Sequence, residues 1–184
     1  MPENSIPNIA TIPSKKGAYA LVLRCTRPCR VPIGRLGVRS FAPGYYIYSG
    51  SALGPGGLRA RIGRHVRHKA TRHWHIDALT THPLFEWVAI VWHCTDVREE
   101  CLGVHAALLL PGATVPVPGF GNSDRRATGC RCPAHLVWVP RLPRRLCEAR
   151  GEGGGGAWAR GRSRRPRSQP RPEPQPRPEQ QPRA

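Results

Sequence analysis

The chain alternates between apolar runs and polar stretches rich in Pro and Gly, and the apolar runs predict its strands. AYALVLR at 18–24 is uninterrupted by turn residues and is typical of a buried β-strand. After a segment punctuated by Pro and Gly, YYIYSG at 45–50 predicts a second strand that pairs with the first as a hairpin. LFEWVAIVWHC at 84–94 and HLVWVP at 135–140 predict two more strands.

Two basic segments after the second strand predict helices. In GLRARIGRHVRHK at 57–69, Leu58, Ile62 and Val66 recur four apart, which predicts an amphipathic helix. On the side opposite this stripe we expect a cluster of basic residues: Arg61, Arg64, His65 and His68. RHWHIDALTTH at 72–82 predicts a second, short helix.

A third helix is predicted from DVREECLGVHAALLL at 96–110, with a stripe through Val97, Cys101, Val104 and Leu108. Asp96 followed by Glu99 predicts a capping-box-like start. A Gly-rich loop, GFGNSD, follows at 119–124. Strands and helices in this order predict a small α/β domain in which a short central sheet is flanked by helices.

The composition divides the chain into three parts. Residues 1–15 are polar and proline-broken and predict a flexible N-terminus, and 16–143 predict the folded domain. Residues 144–184 are rich in Arg, Pro, Gly and Gln, which predicts a disordered tail.

The charge predicts a polyanionic partner. The chain carries 29 Lys and Arg against 11 Asp and Glu, for a net charge of +18, and residues 1–143 alone carry 18 against 7. Nucleic acid is the first expectation and an anionic membrane surface the second. No apolar run approaches the length of a bilayer span, so we expect no transmembrane segment. The seven scattered cysteines and the absence of a secretory signal predict a reduced, cytoplasmic protein.

Several motifs together resemble a known family. GAY at 17–19, YSG inside YIYSGSA, and LRAR followed by Arg64 and His65 resemble the GIY-YIG endonuclease signature. With WHID at 74–77 and CRCPAHL at 130–136, the layout of about residues 16–140 is similar to the Uri-type branch (domain of unknown function 123-like). The chain departs from that layout in its tail and in the extra residues RRATG at 125–129.

The resemblance implies that a phenol orients or deprotonates the attacking water. It places Tyr19 and Tyr48 on paired strands and leaves open which of them is the base. Strand periodicity puts Tyr46 on the face of Tyr48, where it could support the reacting groups without touching the substrate, and Tyr45 on the other face, where packing is the simpler role. Tyrosines that merely satisfy their hydroxyls in a core remain the alternative.

A cation and a divalent metal are the other requirements of phosphodiester hydrolysis. The resemblance points to Arg61 as the cation, and His65 shares its helix face. The remaining basic residues of this helix, Arg59, Arg64, Arg67 and Lys69, are predicted to hold the nucleic-acid backbone. A solvated basic face is the alternative.

Glu100 is predicted to bind one Mg²⁺ or Mn²⁺. It lies beside the apolar stripe of the third helix, where a carboxylate needs a partner, and the resemblance points to the same Glu of Glu-Cys. His75 and Asp77 either contact the substrate or metal or orient a neighbour. Asn122 is a possible match to an asparagine near the end of GIY-YIG domains.

Cys130, Cys132 and His135 have donor types that suit zinc, with Cys101 as a conceivable fourth ligand. Buried small thiols are the alternative reading. We therefore expect a metal-dependent endonuclease that cuts DNA, with RNA as an open alternative. A non-catalytic nucleic-acid-binding module of the same fold is the second hypothesis, and a zinc-stabilised interaction domain is the third.

Overall fold

The computed structural model describes residues 9–67, 74–122 and 131–143. Within these ranges the chain forms a mixed α/β fold, as predicted from the sequence. Its strands are β1 (Gly17–Cys25), β2 (Cys29–Pro32), β3 (Val38–Phe41), β4 (Gly44–Ala52), β5 (Phe85–Cys94) and β6 (Leu136–Val139). Its α-helices are α1 (Gly57–Val66), α2 (Asp77–Thr80) and α3 (Glu100–Leu108).

The central sheet has four strands in the order β5-β1-β4-β6, and every neighbouring pair is antiparallel. The predicted pairing of the first strand with the YYIYSG strand is confirmed, with Tyr19 opposite Gly50. Between these strands, in the segment punctuated by Pro and Gly, the chain makes a separate two-stranded ribbon, β2 with β3. β1 is buried along almost its whole length, which explains why it reads as a continuous apolar run.

Two apolar cores lie on the two faces of the sheet. The first is covered by α1 and includes Tyr19, Tyr46 and Tyr48, while Tyr45 packs against the second. The predicted division of the tyrosines between faces is therefore confirmed, because side chains alternate along a strand. The predicted stripe of α1 is confirmed too: Leu58, Ile62 and Val66 are all buried in the first core.

The helix α3 covers the second face and differs from its prediction at its start. It begins at Glu100, and the Glu99 side chain makes no capping hydrogen bond. Glu99 instead pairs with Nε2 of His93 at 2.5 Å, and Asp96 lies 3.9 Å from the Lys16 ammonium group. The predicted capping box is wrong because both carboxylates have cationic or imidazole partners outside the helix.

The apolar stripe of α3 is also shorter than predicted. Val104 is buried, and Cys101 and Leu108 pack against the second core. Val97 precedes the helix and is 64% exposed, so its predicted place in the stripe is wrong. At the other end of the domain, α1 ends at Val66 rather than continuing to residue 69.

The segment before β1 packs against α1. Residues Ile9–Thr11 form a 3-10 turn, Ile12 is buried, and Nε of Arg59 donates to the Ile12 carbonyl at 2.6 Å. Residues 1–8 of the predicted flexible N-terminus and the predicted disordered tail at 144–184 lie outside the described residues. Among the helices of the described ranges, none has the length and hydropathy that crossing a membrane requires.

Candidate active site

A close approach of β1 to β4 positions the Tyr19 phenol. A Cβ atom at Gly50 would lie 2.6 Å from both the hydroxyl oxygen and the Cζ atom of Tyr19. Any larger residue at position 50 would therefore displace the ring. The glycine of YSG lets the phenol lie across β4 towards α1, where His65 meets it.

Three buried side chains form a hydrogen-bonded chain at this point. The Tyr19 hydroxyl is 2.9 Å from Nε2 of His65, and Nδ1 of His65 is 3.1 Å from Oδ1 of Asp77. Since an ionised carboxylate only accepts, we assign the imidazole proton to Nδ1. Nε2 is then the acceptor, and the Tyr19 hydroxyl donates to it.

Asp77 is itself held in place by two further groups. Its Oδ2 accepts from the Trp74 backbone N–H at 2.9 Å and lies 3.2 Å from Nη2 of Arg64. The carboxylate at the start of α2 is thus fixed by backbone and guanidinium while its other oxygen holds His65. Such a third group, which orients an imidazole, is the arrangement that prepares an acid–base residue for catalysis.

Burial sets the protonation states of this chain. It lowers the pKa of His65 below 6.5, although the Asp77 carboxylate opposes the shift. It also raises the pKa of Tyr19 to about 12, although the Arg61 guanidinium opposes that shift through charge and hydrogen bonding. At neutral pH the phenol is therefore protonated and the imidazole is neutral. A proton can move from Tyr19 to His65 when the phenol receives one in exchange.

Tyr48 lies beside this chain. Its ring packs edge-on against His65, with centroids 6.3 Å apart, and edge-on against Phe120. Burial, and secondarily the neighbouring Tyr19, raise the pKa of Tyr48 well above its ordinary value. The structure thus distinguishes the two phenols that the sequence left equivalent, because Tyr19 is the one bonded to His65.

His65 corrects the prediction of a basic face opposite the apolar stripe. It is only 2% exposed and lies next to the stripe, since it follows Leu58 by seven residues and residues seven apart on a helix differ by only about 20° around its axis. Arg61, one turn earlier, is half-buried and stacks over the Trp74 ring, with Cζ 4.0 Å from the ring centroid. Among the described residues, its buried Nε atom has no hydrogen-bond partner. Its contact with Trp74 therefore positions the guanidinium beside the phenols.

The basic residues predicted to hold nucleic acid have internal contacts as well. Arg59 bonds the N-terminal segment and Arg64 bonds Asp77, while Nε of Arg67 donates to the Gly63 carbonyl at 3.1 Å. Each guanidinium has five N–H donors, so these contacts leave donors for phosphate. His68 and Lys69 lie outside the described residues.

Glu100 approaches the site from α3. Its carboxylate accepts from the Ser51 hydroxyl, and its Oε1 is 3.3 Å from Nη1 of Arg98. Burial alone would raise its pKa, but these hydrogen bonds lower it, so the group is ionised. Its charge raises the pKa of both Tyr19 and Tyr48, although less than burial does. A single ionised carboxylate fits Mg²⁺, which usually keeps several waters and takes one or two carboxylates.

Other predicted site residues have structural contacts. The Tyr46 hydroxyl donates to the Ala42 carbonyl at 2.8 Å, and Nδ2 of Asn122 donates to the Cys132 carbonyl at 2.6 Å. Nδ1 of His75 accepts from the Gly121 backbone N–H at 3.0 Å, and burial lowers the pKa of His75. His75 thus holds the loop that packs against Tyr48.

The Cys/His cluster in the structure contains a different set of residues from the set that the sequence predicted. The ligand atoms of Cys101, Cys132 and His135 all lie within 4.8 Å of one another. Cys101 was predicted only as a conceivable fourth ligand. Cys130, which the sequence grouped with Cys132 and His135, lies outside the described residues.

Comparison with known proteins gives one family match. The family described as Domain of unknown function DUF123 matches residues 18–152. The chain belongs to the DUF123 family. No curated protein and no solved structure matches this DUF123 chain.

The sequence did not reveal three contacts that define the site of this DUF123 chain. Asp77 as the partner of His65, Ser51 as the partner of Glu100, and Trp74 beneath Arg61 all join residues from different elements. Their separations follow no helix or strand period. WHID was the only signal, since it placed an Asp and an aromatic residue after the basic helix.

Proposed function

We propose that this chain is a metal-dependent endonuclease that hydrolyses phosphodiester bonds of DNA. The observation that carries the proposal is the hydrogen-bonded chain of Tyr19, His65 and Asp77 with Arg61 beside the phenol. Phosphodiester hydrolysis needs a base for water and a cation for the charge of the phosphorane, and this group of residues offers both.

In the proposed reaction a water molecule attacks the phosphorus atom and breaks the bond to the leaving oxygen. As it attacks, the water gives its proton to the Tyr19 oxygen, and Tyr19 gives its own proton to Nε2 of His65. The imidazolium that forms is stabilised by the Asp77 carboxylate. This exchange avoids a free phenolate, which the raised pKa of Tyr19 disfavours.

Arg61 would stabilise the negative charge that develops on the phosphoryl oxygens. Its stacking on Trp74 holds the guanidinium beside Tyr19, so that little rearrangement is needed to receive a phosphate. Glu100 would hold a Mg²⁺ or Mn²⁺ ion. When bound, such an ion supplies positive charge for the leaving oxygen.

Membership of DUF123 and the motifs agree with this proposal. GAY and YIYSGSA resemble the GIY-YIG endonuclease signature, and two of their tyrosines, Tyr19 and Tyr48, are the phenols beside His65. The net charge of +18 favours a polyanionic substrate. A binding module would need the charge but not a buried proton-transfer chain.

The test is cleavage of labelled single-stranded, duplex, flap and branched DNA and of RNA by the full chain, with Mg²⁺, Mn²⁺ or EDTA. We expect metal-dependent cutting that Glu100→Gln abolishes and that Arg61→Ala reduces by about 10²–10³-fold. Glu86→Gln is the matched control, because it removes a carboxylate from β5 rather than from the site.

The nucleic-acid-binding alternative makes a different prediction in the same assay. Binding without cutting, insensitive to EDTA and unchanged in Glu100→Gln, would identify a non-catalytic module. Cutting of RNA but not DNA would retain the chemistry and correct the substrate.

A further inference from the structure

Two thiols and an imidazole converge at the edge of the second core. Cys101 lies in the first turn of α3, while Cys132 and His135 precede β6. All three ligand atoms lie within 4.8 Å of one another, and Cys132 and His135 are buried. Cys132 follows Cys101 by 31 residues in the sequence, so tertiary structure alone brings these donors together.

The backbone around the second pair is held in place. The His135 N–H donates to the Phe120 carbonyl at 2.7 Å, and its carbonyl accepts from the Ser49 N–H at 2.9 Å. The Cys132 carbonyl accepts from Asn122, and the Pro133 carbonyl accepts from the Gly119 N–H at 2.7 Å. These hydrogen bonds fix the backbone around Cys132 and His135. They therefore fix the Cα positions from which the two ligand side chains extend, as metal sites require.

We propose that Cys101, Cys132 and His135 bind a zinc ion. Thiolate and imidazole are the ligands that zinc prefers, and zinc–ligand bonds of 2.0–2.3 Å place donors about 3.5–3.8 Å apart in a tetrahedral site. The observed separations need only small side-chain movements to reach those values. A water molecule or another protein donor completes the tetrahedron.

Packing alone explains the cluster less well. Cys132 belongs to the second core, whose other buried members are small aliphatic residues. A buried thiol fits such a core as a small apolar side chain. A buried imidazole is less common in cores than a buried thiol, and beside two thiols it completes a donor set that suits zinc.

The proposed ion would connect α3 to the segment before β6. Cys101 follows Glu100 directly, so a ligand bond at Cys101 would restrain the turn that presents the Glu100 carboxylate. On the other side, His135 lies against Gly121, the residue that packs on Tyr48. The zinc is structural in this proposal, and its presence does not depend on nuclease activity.

The first experiment is metal analysis of the full chain, purified without an affinity metal and without added zinc. Mass spectrometry should find about one zinc per folded chain, since structural sites of this donor type bind zinc tightly. Cys101→Ser and Cys132→Ser should each lose it. Cys94→Ser is the matched control, because Cys94 is an exposed thiol on β5 outside the cluster.

Thiol labelling of the wild-type protein does not depend on whether the variants fold. Cys94 should react with an alkylating reagent immediately, whereas Cys101 should react only after zinc is removed by a chelator. Replacement of zinc by Co²⁺ should give the intense visible bands of tetrahedral cobalt and a thiolate charge-transfer band. Folded protein that contains no zinc and gives no such Co²⁺ spectrum would overturn the proposal.

Discussion

The two faces of the central sheet have different chemistry. The core beneath α1 contains Tyr19, Tyr48, His65 and Asp77 among its buried groups, whereas the core beneath α3 is built mainly from small aliphatic residues. Both faces belong to the same strands and share the same antiparallel register. Strand alternation therefore separates a core that contains a hydrogen-bonded chain of polar side chains from a core built mainly of aliphatic side chains.

The polar chain on the first face is not explained by packing alone. A buried polar group is destabilising unless it is fully hydrogen-bonded, and an apolar core of equal volume needs no such network. The second face shows that this fold can pack with aliphatic residues. The polar chain on the first face, which stability alone does not require, is consistent with the proposed chemistry.

The largest effect should come from removing one hydroxyl on each face. Tyr19→Phe removes the proposed base and leaves the ring, so we expect cleavage to fall about 10²–10⁴-fold with little change in folding. Tyr45→Phe makes the same chemical change on the other face and should cut at the wild-type rate. Single-turnover cleavage of the preferred substrate measures both. Equal rates in the two variants would remove the distinction between the faces.

A smaller effect is expected from moving the phenol without removing it. Gly50→Ala would place a Cβ atom 2.6 Å from the Tyr19 hydroxyl, so the ring must shift away from His65. We expect cleavage to fall about 10²-fold, as for other misplacements of about 1 Å. Gly54→Ala is the matched control, because a Cβ atom there meets nothing within 4 Å. Wild-type cleavage by Gly50→Ala would show that the position of Tyr19 is unimportant.

The smallest effect concerns the acid side of the pH profile. Burial lowers the pKa of His65, so the acceptor form predominates at neutral pH and the rate should fall only below about pH 6.5. Asp77 raises that pKa, so Asp77→Asn should move the acid limb to lower pH. It should also reduce the plateau about 10–10²-fold by loosening the imidazole. An acid limb at the wild-type position would mean that Asp77 does not act through His65.

Local sequence patterns predicted much of the fold. The apolar run of β1 and the stripe of Leu58, Ile62 and Val66 depend on periods of two and about four, which any chain segment expresses by itself. Local periodicity also predicted that Tyr45 lies on one face of the sheet and that Tyr46 and Tyr48 lie on the other. Local reasoning failed for Asp96 and Glu99. A capping box joins residues within one helical turn, whereas the observed partners of these carboxylates, Lys16 and His93, lie outside the helix.

The candidate site was less accessible to such reasoning. Tyr19, Arg61 and His65 were found through motifs, but the orientation of the imidazole depends on Asp77, which lies on another helix. The burial of His65 also depends on how α1 is rotated against the sheet. Neither the orientation of the imidazole nor the burial of His65 can be predicted from the spacing of residues along the chain.

The sequence by itself determined the strands of the central sheet, the approximate places of the helices, the basic charge and the face on which Tyr45, Tyr46 and Tyr48 lie, because these follow from composition and local periodicity. Only the tertiary structure decided that Tyr19 rather than Tyr48 bonds His65, and that Cys101 joins Cys132 and His135. The physical reason is that hydrogen bonds and metal sites need atoms within a few ångströms. For residues far apart in the chain, the packing of whole elements sets those distances.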